Sequence, residues 1–162
     1  MGSGIERSFL NGRHTWQILT SITQSKSALL GVCLDGGNRK ESDYVVKLED
    51  IHGHNSYFYM EKESFGLWKW VDSSTGMELL EKSGKNTSER IIWTRRSGET
   101  LIHLNQFLRV RSEESDLIIT TIFFPTSAEA TKFVRPEHAG EEISGKDEYS
   151  NFSLCLKGVP KR

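Results

Sequence analysis

A carboxylate and two imidazoles stand close together in the chain. Asp50, His52 and His54 alternate along the sequence, and an extended strand would place alternate side chains on one face. Carboxylate oxygens and imidazole nitrogens are zinc ligands, so this spacing would suit a metal site on a strand. Gly53 separates the two histidines and favours a turn instead. The segment therefore predicts a turn and no metal ligation.

A second pair of acidic residues has the spacing for acid–base chemistry. Glu61 and Glu63 would share one face of a strand, and paired carboxylates can divide the roles of acid and base. On an exposed strand such a pair is usually solvated. The sequence also lacks the G-x-S-x-G, P-loop, H-E-x-x-H and C-x-x-C motifs. It therefore predicts no catalytic residue, no cofactor and no enzymatic activity.

Aromatic and basic residues alternate in a third segment. Trp68 and Trp70 flank Lys69, and a strand would place both indoles on one face. Proteins that bind single-stranded nucleic acid stack bases on aromatic rings and neutralise phosphates with Lys or Arg. The predicted nucleic-acid-binding residues are Tyr57, Tyr59, Lys62, Trp68, Lys69, Trp70, Arg95 and Arg96.

The stretch 59–71 resembles the central signature of PUR repeats, a family of single-stranded DNA and RNA binders. Its matching parts are Lys62-Glu63-Ser64, Gly66 and Trp68-Lys69-Trp70-Val71. Ser64 stands where the family has Asn, and Phe65 and Leu67 replace basic residues. The resemblance implies repeats of four antiparallel strands and a helix, interlocked in pairs.

Two functions remain open at this point. The first is a module that binds single-stranded DNA or RNA through the aromatic and basic strand face. The second is a protein-interaction or homo-oligomeric scaffold domain that uses the same aromatics as an anchor, because interfaces also enrich Trp, Tyr and Arg. An enzyme with a pocket joining the histidines and glutamates is a more remote third.

Composition sets limits on these functions. The chain has 162 residues and a net charge of -1, so a nucleic-acid site would need a local basic patch. The two cysteines, Cys33 and Cys155, have no partner spacing and predict buried thiols. The longest apolar run, 117–124, is too short to span a bilayer. We therefore expect a protein of the cytoplasm or nucleus with no membrane partner.

Strands dominate the predicted elements. Asn11-Gly12 predicts a hairpin between strands 5–10 and 13–20, because this pair favours the tight turns of hairpins. Further strands are predicted at 28–34, 44–49, 57–59, 67–71 and 117–124. Residues 152–156 are predicted as an edge strand.

Helical signals are fewer. Short helices are predicted at 77–82 and from a capping box at Thr126 to about Val134, whereas 100–110 suits a helix or a strand. The expected fold is α+β, mostly antiparallel, with a twisted sheet of short strands and one or two short helices. One domain spans 1–162, with 1–4 flexible or vector-derived, 136–150 a polar mobile connection and 157–162 a basic tail.

Overall fold

An antiparallel sheet forms the body of the fold. The computed structural model describes residues 6–11, 24–33, 43–61, 67–134 and 139–161. The strands in these residues are β1 (Glu6–Asn11), β2 (Gln24–Cys33), β3 (Asp43–Glu49), β4 (Asn55–Met60), β5 (Lys69–Val71), β6 (Thr87–Ser97), β7 (Thr100–Val110), β8 (Glu113–Glu114), β9 (Ile118–Phe123) and β10 (Ala139–Glu142). Their order across the sheet is β10-β1-β9-β7-β6-β2-β3-β4-β5, and β8 pairs with β7.

Short helices cover the sheet. The helices within the described residues are α1 (Ser73–Ser83), α2 (Ser127–Lys132), a 3₁₀ helix (Asp147–Tyr149) and α3 (Asn151–Lys157). The predicted α+β fold, with antiparallel strands in one twisted sheet, is confirmed. No helix in the described ranges is long and apolar enough to cross a membrane.

Strand alternation gives the sheet two faces with different coverings. We call the face that carries Phe9 and Tyr57 the outer face, and the face that carries Ser8 and Lys26 the inner face. On the outer face Ala130 of α2 packs in one cluster with Phe9, Ile122 and Phe124. This burial of apolar side chains attaches α2 to β1 and β9.

Helix α1 lies on the outer face of β2, β3 and β4. It begins after Asp72, whose side chain accepts a hydrogen bond from the Thr75 N–H at 2.7 Å. Gly76 faces the ring of Tyr57 so closely that a Cβ there would lie 2.3 Å from ring carbon Cδ1. The helix can approach the sheet this far because glycine has no side chain at that point.

Helix α3 covers part of the inner face. Its Cys155 is packed with Leu30, Val32, Tyr44 and Met60 of β2 to β4. The predicted edge strand at 152–156 is therefore wrong. Residues 151–157 are helical because the Ser150 side chain accepts a hydrogen bond from the Ser153 N–H at 3.1 Å, and Gly158 ends the helix at a φ of 83°.

Other predicted elements are found with changed limits. Strands β2, β3, β4 and β9 occur where expected, and 100–110 is strand β7. The Thr126 side chain accepts from the Glu129 N–H at 3.2 Å and begins α2 as predicted. The predicted hairpin partner 13–20 lies outside the described residues, as does the chain end 1–4.

The segment treated as a mobile connection has regular structure where it is described. Ala139–Glu142 forms β10, which pairs with β1, and Asp147–Tyr149 forms the 3₁₀ helix. Its polar composition is explained by where it lies, because this segment borders a polar cavity.

We expect Gly76→Ala to destabilise the protein by about 1–3 kcal/mol, since the added methyl overlaps the Tyr57 ring. In an open helix the same change would stabilise by about 0.5–1 kcal/mol. Urea unfolding measures the difference. Glu78→Ala, at an exposed position of the same helix, is the control and should change stability by under about 0.5 kcal/mol. A stable Gly76→Ala protein would contradict the close packing.

Candidate functional site

A cavity of about 520 Å³ occupies the part of the inner face that α3 leaves uncovered. Its lining residues come from β1, β2, β6, β7 and β9, together with residues 143–150, which we call the strap, and Asn151. The polar lining residues are Glu6, Ser8, Lys26, Arg90, His103, Asn105, Thr121, Ser144, Lys146, Asp147, Tyr149, Ser150 and Asn151.

Two cations lie close together on neighbouring strands. Lys26 of β2 is opposite Ile92 of β6, and Arg90 is two residues before Ile92. Such diagonal neighbours on one face have Cα atoms about 7–8 Å apart, within reach of long side chains. Lys26 is exposed, and neither cation forms an ion pair with a carboxylate of the described residues.

Arg90 is fixed in place by neutral groups. Its Nη1 donates to Asn105 Oδ1 at 3.1 Å, and its guanidinium lies 5.7 Å from the centre of the Phe107 ring. Asn105 Nδ2 in turn donates to the Ile119 carbonyl at 3.2 Å. Burial lowers the pKa of Arg90. Because a desolvated cation is costly without an opposite charge, this position favours an anionic ligand.

His103 adds an imidazole to the same wall of the cavity. Burial lowers its pKa, and the positive charges of Lys26 and Arg90 lower it further. Its ring meets the Phe123 ring edge-on at 5.1 Å between centres. His103 is therefore neutral at pH 7 in the free protein, and it can accept a proton.

Hydroxyl groups join the wall to the strap. Thr121 is opposite both His103 on β7 and Ser8 on β1. The hydroxyls of Ser8 and Thr121 are 3.0 Å apart and share a hydrogen bond. The backbone N–H of Ser8 donates to Ser144 Oγ at 2.9 Å, and the Ile143 N–H donates to the Ser8 carbonyl at 2.8 Å. These bonds hold the start of the strap against β1.

Arg7 fixes the strap from the outer face. It makes a two-point ion pair with Glu142, from Nη2 to Oε1 at 2.6 Å and from Nε to Oε2 at 2.8 Å. Its Nη1 donates to the carbonyls of Ala130 and Phe133, each at 2.9 Å. Arg7 points away from the cavity and does not line it. Its role is to hold β10, from which the strap continues, beside β1.

The charges that line the cavity favour an anion. Three cations, Lys26, Arg90 and Lys146, face two carboxylates, Glu6 and Asp147. In the described part of the chain no group of three or more His, Cys, Asp and Glu side chains could hold a metal ion. The wall is thus equipped with cations, hydroxyls and amides, the donors that bind phosphate oxygens.

The predicted aromatic and basic face is divided between the two sides of the sheet. Trp70 is opposite Phe58, whereas Tyr57 and Tyr59 are opposite Val71 and Lys69. Residues directly opposite each other share a face, so the tyrosines and Trp70 point to opposite sides. Tyr57 is also 5% exposed and lies beneath α1.

The other predicted residues are scattered. Trp68 is 44% and Trp70 69% exposed, near the edge strand β5. Lys69 Nζ pairs with Glu61 Oε1 at 3.4 Å. Arg95 and Arg96 are consecutive in β6 and so point to opposite faces. Lys62 lies outside the described residues.

None of the predicted site residues that the structure describes lines the cavity, and the cavity residues were not predicted. Lys26 is distant in sequence from Arg90 and His103, but the three strands that carry them are adjacent in the sheet. Each is ordinary in its local segment. The sequence does carry polar residues at the positions of successive strands that face inward. They could have indicated the site only if the order of the strands in the sheet had been known.

Two solved structures share this fold over nearly the whole chain. They are the crystal structure of the inorganic triphosphatase NE1496, with a TM-score of 0.71 and 19% identity, and that of the hypothetical protein NE1496, with 0.70 and 18%. Each alignment covers 96% of this chain and 99% of the other. At this identity the likeness concerns the fold.

A curated relative matches a shorter stretch. The chain is 33% identical over 97 residues to phosphatase and actin regulator 2 of Rattus norvegicus. The match covers 60% of this chain and 16% of that relative's length. No family model matches the chain. The resemblance to PUR repeats thus stays a prediction.

The predicted non-enzymatic functions are contradicted by these neighbours. The fold that the chain shares over 96% of its length is also found in an inorganic triphosphatase, an enzyme. The prediction of a single-stranded nucleic-acid-binding module is therefore wrong, as is the alternative of a scaffold with no catalytic role. Strand alternation also separates Tyr57 and Tyr59 from Trp70, so the single aromatic and basic face on which the nucleic-acid prediction depended is not formed.

We expect the pKa of His103 to lie below its ordinary value of 6.5, and Lys26→Gln to raise it by removing one nearby positive charge. An NMR titration of the imidazole signals measures both, with the His103 signal assigned from its absence in His103→Gln.

The lowered pKa of His103 also makes the stability of the fold depend on pH. The stabilisation by neutral His103 is complete above pH 6.5 and is lost as the pH falls towards the pKa of the folded state, because the unfolded chain takes up the proton first.

His52→Gln changes a histidine in the exposed turn after β3 and is the control. It should remove a different imidazole signal and leave the titration curve of His103 unchanged. A His103 pKa at or above the ordinary value would show that the imidazole is not placed beside Lys26 and Arg90.

Proposed function

We propose that the chain binds inorganic triphosphate in the cavity and hydrolyses it to pyrophosphate and phosphate. The observation that carries this proposal is the wall formed by Lys26, Arg90 and His103 on three adjacent strands, in which two cations without an ion-pair partner among the described residues lie on one side of a neutral imidazole. The likeness in fold to an inorganic triphosphatase supports the same substrate class.

The two cations would neutralise the phosphate oxygens. Phosphoryl transfer depends mainly on positioning and on stabilising the charge of the transferred group and the leaving group. The planar guanidinium of Arg90 can donate two parallel hydrogen bonds to a phosphate, and the Lys26 ammonium acts as a mobile point charge. Since Arg90 is already fixed by Asn105 and Phe107, little side-chain freedom is lost when the anion binds.

His103 would serve as the general base. In the free protein the imidazole is neutral, so it can take a proton from a water molecule as that water attacks the terminal phosphorus. The bond between that phosphorus and the bridging oxygen breaks, and pyrophosphate leaves. A bound anion raises the pKa of His103 from its lowered value, towards the range in which a base works best near pH 7.

A divalent ion would enter as the counterion of the substrate. Mg²⁺ is commonly bound by one or two protein carboxylates together with substrate phosphates. Glu6 and Asp147 are the two carboxylates among the described residues of the lining. They fit this shared mode of binding rather than a complete protein site.

We expect Lys26→Gln to weaken triphosphate binding by about tenfold or more, because a charge-assisted hydrogen bond contributes about 1.5–3 kcal/mol. Lys26 is exposed, so this variant should fold normally. Isothermal titration calorimetry with inorganic triphosphate gives the dissociation constant. Lys82→Gln has the same change of charge on the exposed surface of α1 and should leave binding unchanged.

His103→Gln should reduce the rate of phosphate release by about 10²- to 10⁴-fold while binding is largely retained, since a general base contributes that factor. Phosphate release from triphosphate is measured with and without added Mg²⁺. A wild-type protein that neither binds nor hydrolyses triphosphate would overturn the proposed function. Full activity in His103→Gln would overturn only the role of His103 as general base.

A further inference from the structure

A third cation of the cavity, Lys146, stands on the strap. The strap follows β10, at one edge of the sheet, whereas Lys26 is on β2. Five strand-to-strand steps separate β2 from β10, which is about 24 Å along the sheet at about 4.8 Å a step. Both residues nevertheless line one cavity. The strap accounts for this, because it leads from β10 to α3, which packs on β2 and β6, and so carries Lys146 over the inner face towards the cations of those strands.

The backbone of Lys146 is fixed. Its N–H donates to the Ile143 carbonyl at 3.0 Å, and its carbonyl accepts from the Tyr149 N–H at 3.1 Å. Gly145, at a φ of 75°, permits the tight turn that precedes it. Two residues earlier, Ser144 is bonded to β1. The side chain thus begins from a defined point beside the cavity.

The ammonium group of Lys146 is held by an exchangeable partner. Its Nζ pairs with Glu141, and the two side chains are 43% and 47% exposed. That hydrogen bond raises the pKa of Lys146, with Glu148 and Tyr149 adding to it, so the ammonium stays charged. An exposed ion pair contributes about 0–1 kcal/mol, so a phosphate can replace the carboxylate at little cost.

We propose that Lys146 binds the third phosphate of the substrate and thereby determines the length of the phosphate chain that the site prefers. This proposal rests on the proposed function. Lys26 and Arg90 on the strands would bind two phosphates, and Lys146 on the strap would bind the third. The site would therefore prefer triphosphate to pyrophosphate by virtue of Lys146.

The test compares two anions in one pair of proteins. Dissociation constants for inorganic triphosphate and pyrophosphate are measured by calorimetry in the His103→Gln parent, which suppresses turnover, and in that parent with Lys146→Gln. We expect Lys146→Gln to weaken triphosphate binding by about tenfold and pyrophosphate binding by less than about twofold. A purely structural role for Lys146 would instead weaken both anions equally. Equal loss for the two anions, or no loss, would overturn the proposal.

Two further variants make the result specific. Lys82→Gln in the same parent removes one positive charge from α1, away from the cavity, and should change neither constant. Glu141→Gln removes the carboxylate that competes for Lys146 and should tighten triphosphate binding. Weaker binding would contradict the replacement of the Glu141 carboxylate by a phosphate. If the wild type binds triphosphate and Lys146→Gln keeps the preference, this inference fails and the proposed function stands.

Discussion

The ion pair between Arg7 and Glu142 is the interaction on which the site depends. It joins β1 to the neighbouring strand β10 at one edge of the sheet, and the same guanidinium holds the end of α2 through two carbonyls. A bidentate pair has a fixed geometry, so β10 is held in one orientation beside β1. The strap continues directly from β10. One arginine on the outer face thereby positions the residues that close the cavity on the inner face.

The inner face divides into an apolar part and a polar part, and helix α3 marks the boundary. Where β2 to β4 present Leu30, Val32 and Tyr44, the helix covers them. Where the strands present Lys26, Arg90 and His103, the strap with its 3₁₀ helix borders the inner face and the cavity remains. Arg111 stabilises this arrangement, because its Nη1 donates to the carbonyls of Cys155 and Leu156 at 3.0 and 2.9 Å, at the end of α3. The burial of apolar groups by α3 therefore also sets the extent of the polar site.

Local patterns predicted most strands but not the site. A continuous apolar run located β2 and an alternating segment located β3, and turn residues bounded both. The leucines of 100–110 suited two interpretations, and only pairing with β6 and β9 makes this segment a strand. The site escaped prediction because its members meet through strand order and through a bulge between Glu89 and Arg90, where the register of β6 and β7 shifts. The alternation of Trp68 and Trp70 was evident, but the register that separates Trp70 from the tyrosines is a tertiary property.

The pairing of β1 with β10 has a consequence for synthesis on the ribosome. Arg7 and Glu142 are 135 positions apart, and the Cys155 thiol lies against the carbonyl of Leu30 across 125 positions. Contacts of such long range require loop closure before they stabilise anything, so folds that depend on them form slowly. Strands β2 to β4 with α1 can associate early, but the cavity cannot close until β9, β10 and α3 have all emerged. During that interval the edge of β1 and the apolar part of the inner face stay open to solvent, and such unpaired edges and apolar surfaces favour aggregation.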